Sequence, residues 1–160
     1  MDRVEQVLQH SLYKECLEKI CELEDTREFC GHDMTHFLDV ARLAYIFNIE
    51  QQLGIEKELI YTAALLHDIG RGVEYTKETP HNEAGVPLAE KILIECGYCE
   101  NERSMILEAI LRHCDIKVKE EQSLAGIIYR ADKQARACFS CQAEQSCNWD
   151  KKKKNLRIEY

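Results

Sequence analysis

The chain has 160 residues, a length that suits one well-buried domain, and a formal net charge of −8, which argues against a general nucleic-acid binder because phosphate partners favour a basic surface. No stretch approaches the apolar length of a membrane span, and the opening MDRVEQVLQHSLYKE is too polar for a secretory leader, so a cytoplasmic protein without a membrane partner is expected. Nine cysteines, an odd number without an export signal, read as reduced thiols or metal ligands rather than as a disulfide framework.

In chain order, Val4, Leu8, Leu12, Cys16 and Ile20 form one apolar stripe at helical spacing, and Phe37, Val40, Ala41, Ala44 and Phe47 form a second that ends before Gly54. A third helix runs from Glu56 to Leu66. The segment GRGVEYTKETPHNEAGVP holds both prolines and reads as a surface loop. Helical patterns return in PLAEKILIEC, ERSMILEAILRHC and SLAGIIYRADKQARAC, while DIKVKE is the one candidate for a short strand. The expected fold is all-α, with about five or six main helices in a single domain over residues 1–160. Its core spans about 32–136 and a cysteine-rich segment follows at 137–160.

Several polar residues sit at the inner edges of these apolar runs. His36 precedes Val40 and Ala41 by about one turn, His67 and Asp68 close the run TAALL, His113 closes ILEAILR, and Asp132 follows AGIIYRA. Burying a carboxylate or imidazole unpaired costs several kcal/mol, so such groups should pair with one another or share a cation. Each has an ordinary reading when taken alone: a hydrogen-bonded core histidine for His36 or His113, a salt-bridge partner for Asp132, and a favourable helix C-terminus for His67.

Taken in order, His36, His67-Asp68 in ALLHDIG and Asp132 in YRADKQAR resemble the H...HD...D signature of the HD-domain superfamily of metal-dependent phosphohydrolases. The resemblance covers roughly His32 to Arg136. It implies a compact helical bundle with a metal site in its central cleft, His36, His67, Asp68 and Asp132 as ligands, and His67 and Asp68 in catalysis. His32-Asp33 in GHDMTHF is a second His-Asp pair, but Gly31 before it marks a helix entry, so His36 is taken as the ligand and His32 stays a candidate for outer support. His81 in TPHNEAG and His113 in AILRHCD resemble the second-metal histidines of a binuclear branch that includes diadenosine tetraphosphate hydrolases, in which Asp68 would bridge two ions. That branch often carries another histidine beside the one matched to His113; here the neighbours are Arg112 and Cys114. With one metal only, His81 and His113 would contact phosphate or move protons.

Mixed nitrogen and oxygen ligation suits one or two ions of Mn, Fe, Co, Ni or Zn. Lys133, Arg136 and Arg71 are the cations available to hold substrate phosphate oxygens, with arginine offering the bidentate fork; Lys133 and Arg136 read equally as partners of neighbouring carboxylates. Apart from these, Cys138, Cys141 and Cys147 in CFSCQAEQSCNW have a spacing in which the first pair can grip a Zn ion or an iron-sulfur cluster. Three thiols are one short of four, and Cys30 or Cys114 could complete the set; the plain alternative is a group of small buried residues. The closing DKKKKNLRIEY reads as a solvated basic turn whose lysines could also steer an anionic substrate.

Three functions fit this reading. The first is a phosphohydrolase cleaving a phosphoester or phosphoanhydride of a nucleotide or related small molecule through metal-activated water. The second is a non-catalytic regulatory module that binds metal and nucleotide. The third is a redox, iron-sulfur or zinc protein that uses the cysteine segment. A homodimer is compatible with the apolar face of the first helix.

Overall fold

Residues 1–160 are described by a computed structural model in which the helical periodicity resolves into eight α-helices and no strand. In chain order they are α1 (Asp2–Gln9), α2 (Ser11–Glu24), α3 (Met34–Glu50), α4 (Lys57–Leu66), α5 (Arg71–Lys77), α6 (His81–Glu95), α7 (Glu100–Arg112) and α8 (Leu124–Gln134). No helix is long and apolar enough to cross a membrane.

The all-α class holds, but the number of helices exceeds the expected five or six for local reasons. The first stripe breaks at His10, whose backbone is extended and whose Nδ1 accepts the Leu12 N–H at 3.2 Å, capping a new helix. The segment expected as a loop, Gly70 to Pro87, is instead α5 and the first half of α6. Pro80 starts α6 from its N-cap, where its missing N–H costs nothing. Pro87 sits inside the helix with Glu83 on an exposed face, where water can reach the carbonyl that the proline leaves unpaired. The candidate strand DIKVKE is a 3-10 turn over Ile116–Val118, because the Asp115 side chain accepts the Lys117 N–H and Val118 turns into the core.

The second stripe is buried as its spacing predicts, from Phe37 through Phe47. Helix α4 is the central element. Seven of its ten residues are buried, and α3, α7 and α8 pack around it. Alanines at Ala41, Ala44, Ala63, Ala64, Ala109 and Ala131 let these helices approach closely, so polar groups at their ends converge instead of reaching solvent. Gly70 makes the next contact possible. A Cβ there would lie 2.1 Å from the His81 carbonyl oxygen and 2.6 Å from the Gly85 nitrogen, so only glycine lets the turn after α4 press against the start of α6.

The segment after α8 folds back instead of trailing into solvent. Asn155 donates to the Gln134 carbonyl at 2.9 Å, its own carbonyl accepts the Phe139 N–H at 3.0 Å, and the Tyr160 ring packs edge-on against Phe47 at 4.9 Å.

Candidate metal centre

Helix geometry brings four of the predicted residues together. The Asp33 carboxylate caps α3 by accepting the His36 N–H at 3.0 Å, which fixes the first turn and points His36 inward. His67 and Asp68 end α4, and Asp132 lies in the last turn of α8. One donor atom from each of these four side chains lies within 4.8 Å of all the others, and all four residues are buried. His36 Nε2 stands 3.3 Å from Asp132 Oδ1, and His67 Nε2 stands 3.1 Å from Asp68 Oδ2.

A second donor set faces the other oxygen of Asp68. His81 Nε2 is 3.3 Å from Asp68 Oδ1 and His113 Nε2 is 3.6 Å from it, with the two imidazole nitrogens 3.1 Å apart. His81 is therefore not a loop residue facing solvent. It opens α6 and is 6% exposed, because the Gly70 contact pulls that helix start onto the turn carrying Asp68. Cys114 completes the set, its Sγ 3.3 Å from both Nε2 atoms. The residue that breaks the expected histidine pattern beside His113 thus supplies a donor of its own.

Two carboxylates that spacing along the chain did not reveal support imidazoles here. Glu74 meets His81 Nδ1 at 3.0 Å, and Glu24 meets His32 Nδ1 while also accepting the Tyr75 hydroxyl. His32, buried at 4% exposure, turns its Nε2 to within 3.6 Å of Asp68 Oδ2, so the outer candidate of the sequence lies at the edge of the centre. Glu24 and Glu74 belong to other helices, and the available signal was only that a buried imidazole needs a partner for its second nitrogen.

Whether a cation fits can be judged from the tautomers. His67 Nδ1 donates to the Ala64 carbonyl and His113 Nδ1 donates to the Ile110 carbonyl, each at 2.6 Å, which leaves each Nε2 as a lone pair aimed at the centre. His67 Nε2 and Asp68 Oδ2 are buried with no hydrogen-bond partner although they face each other. Two lone pairs at that separation repel unless positive charge lies between them, as do the nitrogens of His81 and His113. The donor set fits a divalent ion.

The electrostatics express the same demand. Burial raises the Asp68 carboxyl, but the charges of His67, Arg71 and His32 outweigh it and hold the group well below the usual carboxylate range. Burial likewise raises Asp132, and Lys133 with the hydrogen bonds of His36 and His67 reverses it. Burial brings His36 down to about 4, leaving it neutral. Burial opposes charge on His113 as well, yet Asp68 and Cys114 push it up to about 10, so without a cation a proton takes the place at its Nε2. Burial would raise the Cys114 thiol, and the His113 and His81 rings instead lower it, which favours the thiolate.

All three predicted phosphate-binding cations border the centre. Arg71 Nε donates to Asp68 Oδ1 at 2.9 Å, Arg136 Nη2 reaches His36 Nε2 at 3.0 Å, and Lys133 pairs with Asp132. Lys133 also lines a cleft of about 330 Å³ with Lys119, Arg130, Arg157 and the four lysines Lys151 to Lys154, a basic surface on a chain of net negative charge. Cys138, Cys141 and Cys147 take no part in this centre and border a cavity that adjoins it through His32, Arg71 and Arg136.

The HD-domain profile matches residues 34–137, which include all seven donors of the two sets. The chain belongs to the HD-domain family. An HD-domain assignment points broadly to metal-dependent phosphohydrolases and to divalent metals. A protein of Clostridium beijerinckii described only as uncharacterized is 42% identical over 160 residues, the full length of both chains. Ribonuclease Y of Oleidesulfovibrio alaskensis is 29% identical over 92% of this chain, and ribonuclease Y of Mycoplasma mycoides is 30% identical over 74%. This HD chain spans only 26% and 21% of the length of those two ribonucleases. No solved structure matches it.

Proposed function

We propose that this HD domain hydrolyses a phosphoester or phosphoanhydride of a nucleotide at a binuclear centre bridged by Asp68. The observation that carries the reading is the division of Asp68: Oδ2 faces His67, His36 and the Asp132 side, while Oδ1 faces His81 and His113. His36, His67, Asp68 and Asp132 would hold one ion, and Asp68 with His81, His113 and the Cys114 thiolate would hold the other. When bound, such ions lower the pKa of water and polarise a phosphoryl oxygen. Thiolate and imidazole donors favour Zn, Fe or Co over Mg on the Cys114 side.

The chain's own groups then have definite tasks. The Ala64 carbonyl holds His67 in the orientation that turns Nε2 toward the centre, and Asp68 remains ionised. Arg71 and Arg136 hold Asp68 and His36 in place and line the adjoining cavity, where a phosphate oxygen can accept hydrogen bonds from their N–H groups. Lys133 joins the centre to the basic cleft, which suits a substrate with more than one phosphate. The same cleft, together with the ribonuclease Y relatives, favours short RNA as a second substrate class.

The test is phosphate or nucleotide release from mononucleotides, dinucleoside polyphosphates, cyclic dinucleotides and short RNA with added Mn, using Asp68→Ala as the control. Turnover on one class that vanishes in the variant is expected. Nucleotide binding without turnover across the whole panel would replace the enzyme with a regulatory module.

A further inference from the structure

The fold supplies a fourth cysteine to the CFSCQAEQSCNW segment. Cys30, in the connection between α2 and α3, borders the same cavity of about 290 Å³ as Cys138, Cys141 and Cys147. All four thiols are free, and the other three raise the Cys138 thiol further above the level that burial sets, so the four sit within electrostatic reach of one another. Both carriers are anchored: the Cys30 carbonyl accepts Arg27 Nε at 3.1 Å, and Lys154 closes the turn bearing Cys147 by donating to the Glu144 carbonyl and carboxylate.

Spacing distinguishes the cofactors such a thiol set can take. A single tetrahedral Zn, with bonds of about 2.3 Å, draws its sulfurs to within ~3.8 Å of one another. The only two donor groups that close to within 4.8 Å in this protein are those around Asp68, and these four sulfurs form neither. All four border the same cavity of about 290 Å³. A four-iron cluster places its iron-sulfide core between four cysteine sulfurs and so takes them farther apart than a single Zn does. The cluster and its thiolates are anionic, and the cavity wall carries Arg27, Arg71, Arg136 and Lys154.

We propose that Cys30, Cys138, Cys141 and Cys147 ligate a [4Fe-4S] cluster in the cavity that adjoins the HD metal centre, whose wall includes Arg71 and Arg136. The inference stands independently of the hydrolytic reading, because the Asp68 centre contains no inorganic sulfide.

The experiment uses the full chain, reconstituted without oxygen with ferrous iron and sulfide. The expected result is a brown protein holding about four acid-labile sulfides per chain, with a visible absorbance that bleaches on dithionite reduction. Cys138→Ser/Cys141→Ser should lose the sulfide and colour while keeping the metal of the Asp68 centre. Cys30→Ser, a change at an exposed residue, should lose most of the sulfide with an unchanged helical circular-dichroism spectrum. Zn retained at one per chain by these thiols, or protein that holds no labile sulfide after reconstitution, would overturn the cluster. Full sulfide content in Cys30→Ser would overturn the fourth ligand.

Discussion

The two sides of Asp68 are built differently. On the Oδ2 side, His36, His67 and Asp132 come from α3, α4 and α8, helices packed through small residues, and each ligand borders an apolar run visible along the chain. On the Oδ1 side, His81, His113 and Cys114 stand at helix ends, brought together because Gly70 lets α6 close onto the turn after α4 and because α7 ends beside it. One side rests on helices packed along their lengths through small residues and the other on the docking of one helix start against a turn, so the second should be the more easily disturbed.

Asp68→Asn strikes both sides at once. Hydrolysis should fall by at least ~10³-fold and metal content from about two per chain to below one, read by steady-state rates and elemental analysis. Retained activity would end the bridging assignment.

Separating the sides comes next. Asp132→Asn should weaken the Oδ2-side ion and leave the other, whereas Cys114→Ser should leave the Oδ2-side ion and cost the Oδ1-side ion ~10–100-fold in affinity, most for soft metals. Equal loss of both ions in each variant would show that the halves do not bind separately.

Gly70→Ala tests the docking itself. The new methyl meets the backbone of α6, and neither the His81 carbonyl nor the Gly85 nitrogen can move without shifting the helix. Thermal unfolding should show a loss of about 1–3 kcal/mol, with the Oδ1-side ion released first. Wild-type stability and metal content would mean that α6 does not depend on this contact.

The smallest effect is expected at the margin. Burial would raise the Glu24 carboxyl from its ordinary 4.5, but its bonds with His32 and Tyr75 lower it to about 2. A carboxyl depressed in the folded state contributes its stability above the ordinary value and loses it as pH falls. The difference in Tm between the wild type and Glu24→Gln should therefore be constant above pH 4.5 and close as the pH falls toward about 2. A gap that persists at the acid end would assign the effect to lost packing instead.

The sequence by itself determined the all-helical class, the burial of the Phe37 to Phe47 stripe and the placement of His36, His67, Asp68 and Asp132 at the inner edges of apolar helices. These follow from periodicity within one turn or two, a local property that any folded helix must express. Tertiary structure decided that Gly70 to Pro87 is helical, that His81 is buried, that Cys114 is a donor, that Glu24 and Glu74 support the rings and that Cys30 faces the cysteine segment. Each of these depends on groups far apart in the chain whose meeting is set by how closely helices and their connections pack, and spacing along one segment carries no record of that distance.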